Sequence, residues 1–183
     1  MKEDQTKQNV VILVDEHDNE IGLMPKMEAH VKGKLHRAIS VFAYDSEGNW
    51  IIQQRANDKY HSQGLWSNTC CSHPYQNEIS KEAASRRLIE EMGMSGTPSK
   101  VFNFKYKAEL DNNLIEHELD HIFILQTDET PKPNPDEVQN WKKIKFNRLQ
   151  EDIGLHPENY TEWFKMLFQE VQSHIIKSTT LVK

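Results

Sequence analysis

The chain has 183 residues, enough for one domain with a real hydrophobic core, and its 37% hydrophobic and 27% charged content fits a soluble protein with long polar loops. A net charge of −6 argues against nucleic acid as a partner, and no apolar run approaches a membrane span. The only two cysteines, Cys70 and Cys71, are neighbours, an arrangement that rarely reaches disulfide geometry, so reduced thiols in the cytoplasm are expected.

Residues 1–8 are polar, carry no apolar signal segment and read as disordered, leaving 9–183 as a single domain. Val10 to Val14 is a short buried strand closed by turn residues from Asp15 to Asn19. Ile21 to Val31 is ambiguous between helix and strand and carries His30 near its end. Leu35 to Tyr44 reads as a strand, Asp45 to Asn49 as a turn, and Trp50 to Arg55 as the second arm of a hairpin. A polar loop from Ala56 to Gln63 leads to Trp66-Ser67-Asn68-Thr69-Cys70-Cys71-Ser72-His73-Pro74.

A helix is predicted from Ser80 to Met92, with Ser80 as N-cap, Glu82 in the first turn and Gly93 behind it as the C-terminal stop. Ala84, Leu88 and Met92 recur every four residues along one side, and Arg87 and Glu91 share an adjoining stripe. Phe102 to Ala108 alternates apolar and polar as a half-buried strand should, and Asp111-Asn112-Asn113 turns the chain. Ile115 to Gln126 is a long strand with Glu116 and Glu118 on one side, His117 and Leu119 on the other. After a proline-rich loop come a strand from Val138 to Ile144 and a short helix capped by Asn147. A last helix is expected to start at Pro157, with an apolar face that includes Trp163, Phe164, Leu167 and Val171. The class is mixed α/β.

Two carboxylates on one strand face repel if that face is dry; a solvated edge would make the Glu116–Glu118 pair harmless. Ile115, Ile122 and Ile124 give their strand a buried character, and a buried like-charged pair needs a cation. His30, His36 and His73 lie beside predicted strands or the Cys/His loop and are candidate co-ligands; imidazoles with carboxylates would suit Mn²⁺, Mg²⁺, Fe²⁺ or Zn²⁺. In an extended segment Cys71 and His73 face the same way, and a thiol beside a metal or a cationic imidazole is expected to ionise more readily. Cys70 then points to the core. Lys26, Arg55, Lys59, Arg86 and Arg87 flank the same region, a basic cluster in an acidic chain that suggests a phosphate or diphosphate substrate. Trp66 and Trp163 read as core residues, although an indole face also stabilises a cation.

Ser72, Glu78 and Arg86-Arg87-Leu88-Ile89-Glu90-Glu91-Met92-Gly93-Met94 resemble the Nudix box, with Ser72 in place of its first Gly and Arg87 in place of the Glu after Arg. Together with Leu35-His36-Arg37-Ala38, Cys71-Ser72-His73-Pro74 and Tyr106…Glu116-His117-Glu118, the chain resembles the type I isopentenyl-diphosphate isomerases, a branch of the Nudix superfamily, from about Val11 to Trp163. The resemblance implies a Nudix-type mixed-sheet sandwich flanked by helices, with N-terminal strand and C-terminal helix additions. It implies one divalent metal, Mn²⁺, Mg²⁺ or Zn²⁺, on His30, His36, His73, Glu116 and Glu118. Glu91 would serve Mg²⁺ arriving with the diphosphate, which Lys26, Arg55, Lys59 and Arg87 would bind. Cys71 and Glu116 would exchange protons with the substrate from opposite faces, Tyr106 would assist Glu116, and Trp163 would face a carbocation. No flavin, nucleic acid or membrane partner is implied, and a monomer or weak homodimer is expected. The alternatives are a Nudix pyrophosphohydrolase, against which Arg87 speaks, and a metabolite-binding module, which has no need of both a thiol and a carboxylate at the reacting carbon.

Overall fold

In a computed structural model of the chain, residues 9–180 are described, with side chains through 178; the expectation of disorder for 1–8 lies outside the described residues. Nine strands form one bent sheet. They are β1 (Val10–Val14), β2 (Glu20–Pro25), β3 (His36–Tyr44), β4 (Asn49–Arg55), β5 (Trp66–Ser67), β6 (Cys70–Ser72), β7 (Ser99–Glu109), β8 (Ile115–Gln126) and β9 (Val138–Lys145). Four α-helices accompany them: α1 (Lys26–Lys32), α2 (Ser80–Met92), α3 (Phe146–Leu155) and α4 (Glu162–Thr180).

Strand β3 is the spine. It pairs in parallel with β8 from His36↔Glu118 to Tyr44↔Gln126. Its other edge takes β6 through Ile39↔Ser72, Ser40↔Cys71 and Val41↔Cys70, then β4 in the expected hairpin through Ala43↔Ile51 and Tyr44↔Trp50. Because side chains alternate across a strand, each face of the sheet has its own core. Ile39, Val41, Ala43, Ile51, Cys70 and Phe123 meet Ala84, Leu88 and Met92 of α2 on one face. Phe42, Tyr44, Trp50, Ile52, Ile122 and Ile124 meet Trp163, Phe164, Leu167 and Val171 of α4 on the other. The every-fourth stripe of α2 is thus buried as its sequence predicts.

Gly93 ends α2 at φ 60, where a side chain would strike the Lys132 carbonyl. The loop after β8 is strapped to that helix end by Lys132 and Asn134, whose N–H groups donate to the carbonyls of Met92 and Glu91.

Strand β7 begins at Ser99, three residues before its expected start at Phe102, and other boundaries depart from expectation as well. Ile21 to Val31 divides into the end of β2 and α1; Ile21, Leu23, Met27 and Val31 all stay exposed, so their spacing marks no buried face. Helix α2 begins at Ser80 with Ile79 as its cap position and no side-chain cap bond. Helix α3 starts at Phe146, one residue before its expected cap. Pro157 opens only a short 3₁₀ turn, and extended Tyr160 separates it from α4, which starts at Glu162.

Candidate active site

The apolar face covered by α4 runs out at one end of the sheet, and polar side chains continue its alternation. Glu116 and Glu118 on β8 share that face with Ile122 and Ile124. On β3, His36 lies opposite Glu118 in register, and on β7, Tyr106 does. Strand β6 adds Cys71 beside Ser40. Helix α1 brings His30, the loop after β4 brings Tyr60 and His61, and α4 brings Trp163. The result is a cleft lined by Lys26, Arg55, Lys59, Cys71, His73, Arg87, Tyr106, Glu116, Glu118 and Trp163 among others.

At its base, His30, His36, His73 and Glu118 each offer a ligand atom, all within 4.8 Å of one another; His30, His61 and Glu116 form a second such group. The hydrogen bonds fix what these imidazoles present. His30 Nδ1 is 2.7 Å from the Lys26 carbonyl and His36 Nδ1 is 2.8 Å from the Lys34 carbonyl. A carbonyl only accepts, so each Nδ1 carries the proton and each Nε2 keeps its lone pair. Both Nε2 atoms are buried with no hydrogen-bond partner, an arrangement that costs free energy unless a cation takes the lone pairs. His73 Nε2 approaches Glu118 Oε1 at 3.0 Å, and His36 Nε2 stands off the same oxygen at 3.5 Å. The donor set therefore fits a divalent metal.

Electrostatics agree with that geometry. Burial lowers His30 and drives His61 and His73 down to about 2 and about 3, so all three are neutral at pH 7. Burial and the neighbouring Glu118 push Glu116 well above the carboxylate range. Glu118 is held well below it despite burial, an effect that needs N–H donation from His36 or His73 and that gives way to a cation when their Nε2 atoms present lone pairs instead. The Tyr106 hydroxyl lies 2.6 Å from Glu118 and 2.9 Å from Glu116 and keeps its proton, because burial and both carboxylates oppose its ionisation.

Cys71 Sγ faces the cleft 4.0 Å from an Arg55 nitrogen. The protein groups around it do not acidify the thiol. Burial pushes it up and Glu91 adds to this, while Arg55 alone pulls down; the imidazole of His73 is neutral and lends no charge. Cys71 is a protonated thiol, and Cys70 lies in the α2-side core as expected. The Trp163 indole N–H donates to Asn68 Oδ1 at 3.0 Å, which pins the ring, and the Arg55 guanidinium lies 5.4 Å from the ring centre.

The opposite wall is basic. Lys26 has no ion pair among the described residues; burial and the charges of Lys59, Arg55 and Arg87 lower it to about 8. Lys59 bonds to Glu137, and Arg87 reaches Glu91 at 2.7 Å, Glu90 at 2.8 Å and Glu137 at 3.2 Å. Arg55 gives its Nε and one Nη to the carbonyls of Ser62 and His61 at 3.2 and 3.3 Å. Arg86 is bidentate to Glu78, at 2.7 and 2.8 Å.

Of the expected ligands, His30, His36, His73 and Glu118 thus come together, whereas Glu116 groups with His30 and His61; Cys71, Tyr106, Trp163 and the four cations border the same cleft. Glu91 stands apart from them, 4% exposed and held by Arg87 and by Gln53 at 2.9 Å. Several residues of the site carried no sequence expectation, among them Tyr60, Glu137 and His61. Glu137 sits in a proline-rich loop, and His61 in a polar loop without periodicity; its only signal was its place between Lys59 and the Cys/His segment.

The NUDIX domain pattern matches residues 34–164. The chain is 47% identical to an isopentenyl-diphosphate Delta-isomerase of Pectobacterium atrosepticum, over 90% of its own length and 92% of the relative's. It is 50% identical to isopentenyl-diphosphate Delta-isomerase 2 of Aromatoleum aromaticum, covering 89% of this chain and 86% of that one. Among solved structures, a Deinococcus radiodurans protein superposes with a TM-score of 0.72 over 88% of this chain and 98% of its own, at 17% identity, a likeness of fold alone.

Proposed function

The chain belongs to the isopentenyl-diphosphate Delta-isomerases built on the NUDIX domain, and from that premise we propose that it interconverts isopentenyl and dimethylallyl diphosphate in isoprenoid biosynthesis, as a cytoplasmic monomer or weak homodimer. The observation that carries the reading is one cleft that faces a protonated thiol, a tyrosine-linked carboxylate pair and an indole toward the same space, with cations along its rim.

The double bond of isopentenyl diphosphate is unactivated. Its π electrons take a proton at the terminal carbon, leaving a tertiary carbocation. Loss of a proton from C2 then returns that C–H pair as the new double bond. An acid and a base on opposite faces of the substrate are needed, with water excluded between them. Cys71 supplies one of these groups and Glu116 the other, with Tyr106 relaying for Glu116. Glu118 belongs to the same unit, since Tyr106 reaches both carboxylates. The Trp163 face lies toward the cationic centre. His30, His36, His73, Glu116 and Glu118 hold the divalent cation. When bound, it supplies a fixed positive charge that lets two adjacent carboxylates coexist in a dry site.

Lys26, Arg55, Lys59 and Arg87 bind the diphosphate. Glu91, with the main chain near Cys71, serves the Mg²⁺ that accompanies it, exchanging its bond to Arg87 when it does. Arg87 also weighs against hydrolysis. A guanidinium binds phosphate but ligates no metal, and it stands where the Nudix box has a glutamate.

The test is incubation with isopentenyl diphosphate and Mg²⁺ in deuterated water. Deuterium enters the methyl group of dimethylallyl diphosphate and, by reversal, isopentenyl diphosphate, while phosphate release stays at background. Rapid phosphate release with no deuterium on carbon would overturn the reading in favour of a hydrolase.

A further inference from the structure

Deepening that reading and resting on its diphosphate site, we propose that Glu137 is a positioning residue for the diphosphate: its carboxylate holds Lys59 and Arg87, which arrive from separate elements, as one preformed pair on the basic wall. Lys59 lies in the loop after β4 and Arg87 on α2. Two like charges brought to one wall of a sheltered cleft repel each other. Glu137 stands between them. Its Oε2 accepts a hydrogen bond from the Lys59 ammonium, and its Oε1 lies 3.2 Å from Arg87 Nη2. All three residues line the cleft. The Lys59 and Glu137 side chains are 21% and 22% exposed and that of Arg87 10%, so solvent screens these pairs only in part. The other two cations have supports of their own. Lys26 Nζ lies 4.5 Å from the Tyr60 ring centre, and Arg55 is held by the His61 and Ser62 carbonyls.

The main chain fixes where Glu137 can reach. Its carbonyl accepts from the Ala56 N–H at 3.0 Å, and the next residue, Val138, is the register partner of Arg55. Its N–H donates to the Asn134 carbonyl at 3.0 Å, and the Asn134 N–H donates to the Glu91 carbonyl of α2 at 2.9 Å. Glu137 therefore sits at the junction of β4, whose following loop carries Lys59, with α2, which carries Arg87. Burial would raise its carboxyl, but Arg87 and Lys59 hold it below the usual range, so it is an anion at pH 7. Arg87 Nη2 is shared, since Glu91 Oε1 also lies 2.7 Å from it. When Glu91 turns to Mg²⁺, Glu137 remains to keep the guanidinium at the wall. The clamp leaves donors for the ligand: an ammonium has three N–H groups, and Glu137 engages only part of that of Lys59.

Charge alone and positioning predict opposite signs. A carboxylate that only repelled the anion would, on removal, tighten binding; one that organises two cations loosens it. The experiment uses the full chain and reads calorimetric binding of inorganic pyrophosphate with Mg²⁺, beside steady-state kinetics with isopentenyl diphosphate. Glu137→Gln raises the pyrophosphate Kd about tenfold. It raises KM by a similar factor and leaves kcat within about threefold of wild type. In a Lys59→Met background the same change raises Kd by less than about threefold, because one member of the pair is already gone. Glu137→Asp keeps the charge but shortens the reach; it gives a smaller rise of the same sign and replaces the glutamine variant if that one lacks a cooperative thermal transition. Unchanged or tighter pyrophosphate binding, a fall in kcat at constant KM, or an effect undiminished in the Lys59→Met background would overturn the proposal while leaving the proposed function standing. A wild-type chain that binds no pyrophosphate would overturn both this assignment and the diphosphate site beneath it.

Discussion

One set of carboxylates lines this cleft and another lies on the helix beside it, and their neighbours give them different fates. In and just before α2, Glu78 faces Arg86, Glu90 faces both Arg86 and Arg87, and Glu91 faces Arg87 and Gln53. On β8, Glu116 and Glu118 face imidazoles that burial keeps neutral and a phenol that keeps its proton. The helix carboxylates thus have arginines as built-in countercharges, whereas the strand carboxylates have imidazoles and a phenol as neighbours. On the proposed reading, the first set would become available to a metal only when a diphosphate draws the arginines away, and the second set would hold a cation of its own. The same residue type on adjoining walls serves transient and permanent binding because its partners differ.

Breaking the strand set has the largest effect. Glu118→Gln removes the tightly held metal and lowers the isomerisation rate by about 10³-fold; metal analysis beside the rate checks it, and a variant with full metal content removes Glu118 from the centre. Next comes the thiol across the cleft. Cys71→Ala lowers the rate by about 10²-fold or more, whereas Cys70→Ala keeps a near-normal rate with a stability loss of roughly 1 kcal/mol, seen in thermal unfolding. A normal Cys71→Ala rate would sink the proton-transfer scheme. The helix set gives the smallest change and sharpens the contrast. Glu91→Gln keeps the tightly held metal and weakens Mg²⁺-dependent diphosphate binding by about tenfold. Loss of the held metal in that variant would show that the two walls are not independent.

What could be read in the chain follows from where periodicity acts. The α2 stripe, the β3–β4 hairpin and the alternation of β8 were legible because each buries one face of a regular element. Helix α1 was not, since its apolar neighbours Ile21, Met27 and Val31 remain exposed and the turn is held by what it buries, Ala29 and His30. The grouping of His36, His73 and Glu118 was legible through motif and strand parity. His61 and Glu137 were missed because both lie in loops, where only tertiary contact decides what a side chain meets. The acidity of Cys71 was misjudged for a related reason: adjacency to His73 is visible in the chain, but the burial that keeps both groups neutral is not.

The parallel ladder between β3 and β8 would also govern when the proposed metal centre forms. His36 and Glu118 are register partners far apart in the chain, and Tyr106 joins them only through the β7–β8 pairing. Bringing such strands together demands closure of a long loop before any contact rewards it, so assembly of the ladder falls late and slow. A cation finds no complete ligand set in the unfolded chain and binds after the ladder closes. Its binding energy is then spent on the lifetime of the folded state and not on the speed of reaching it. In denaturant-jump experiments Mn²⁺ therefore slows unfolding and leaves the refolding rate unchanged; an equally accelerated refolding would mean that the ligands gather before the strands do.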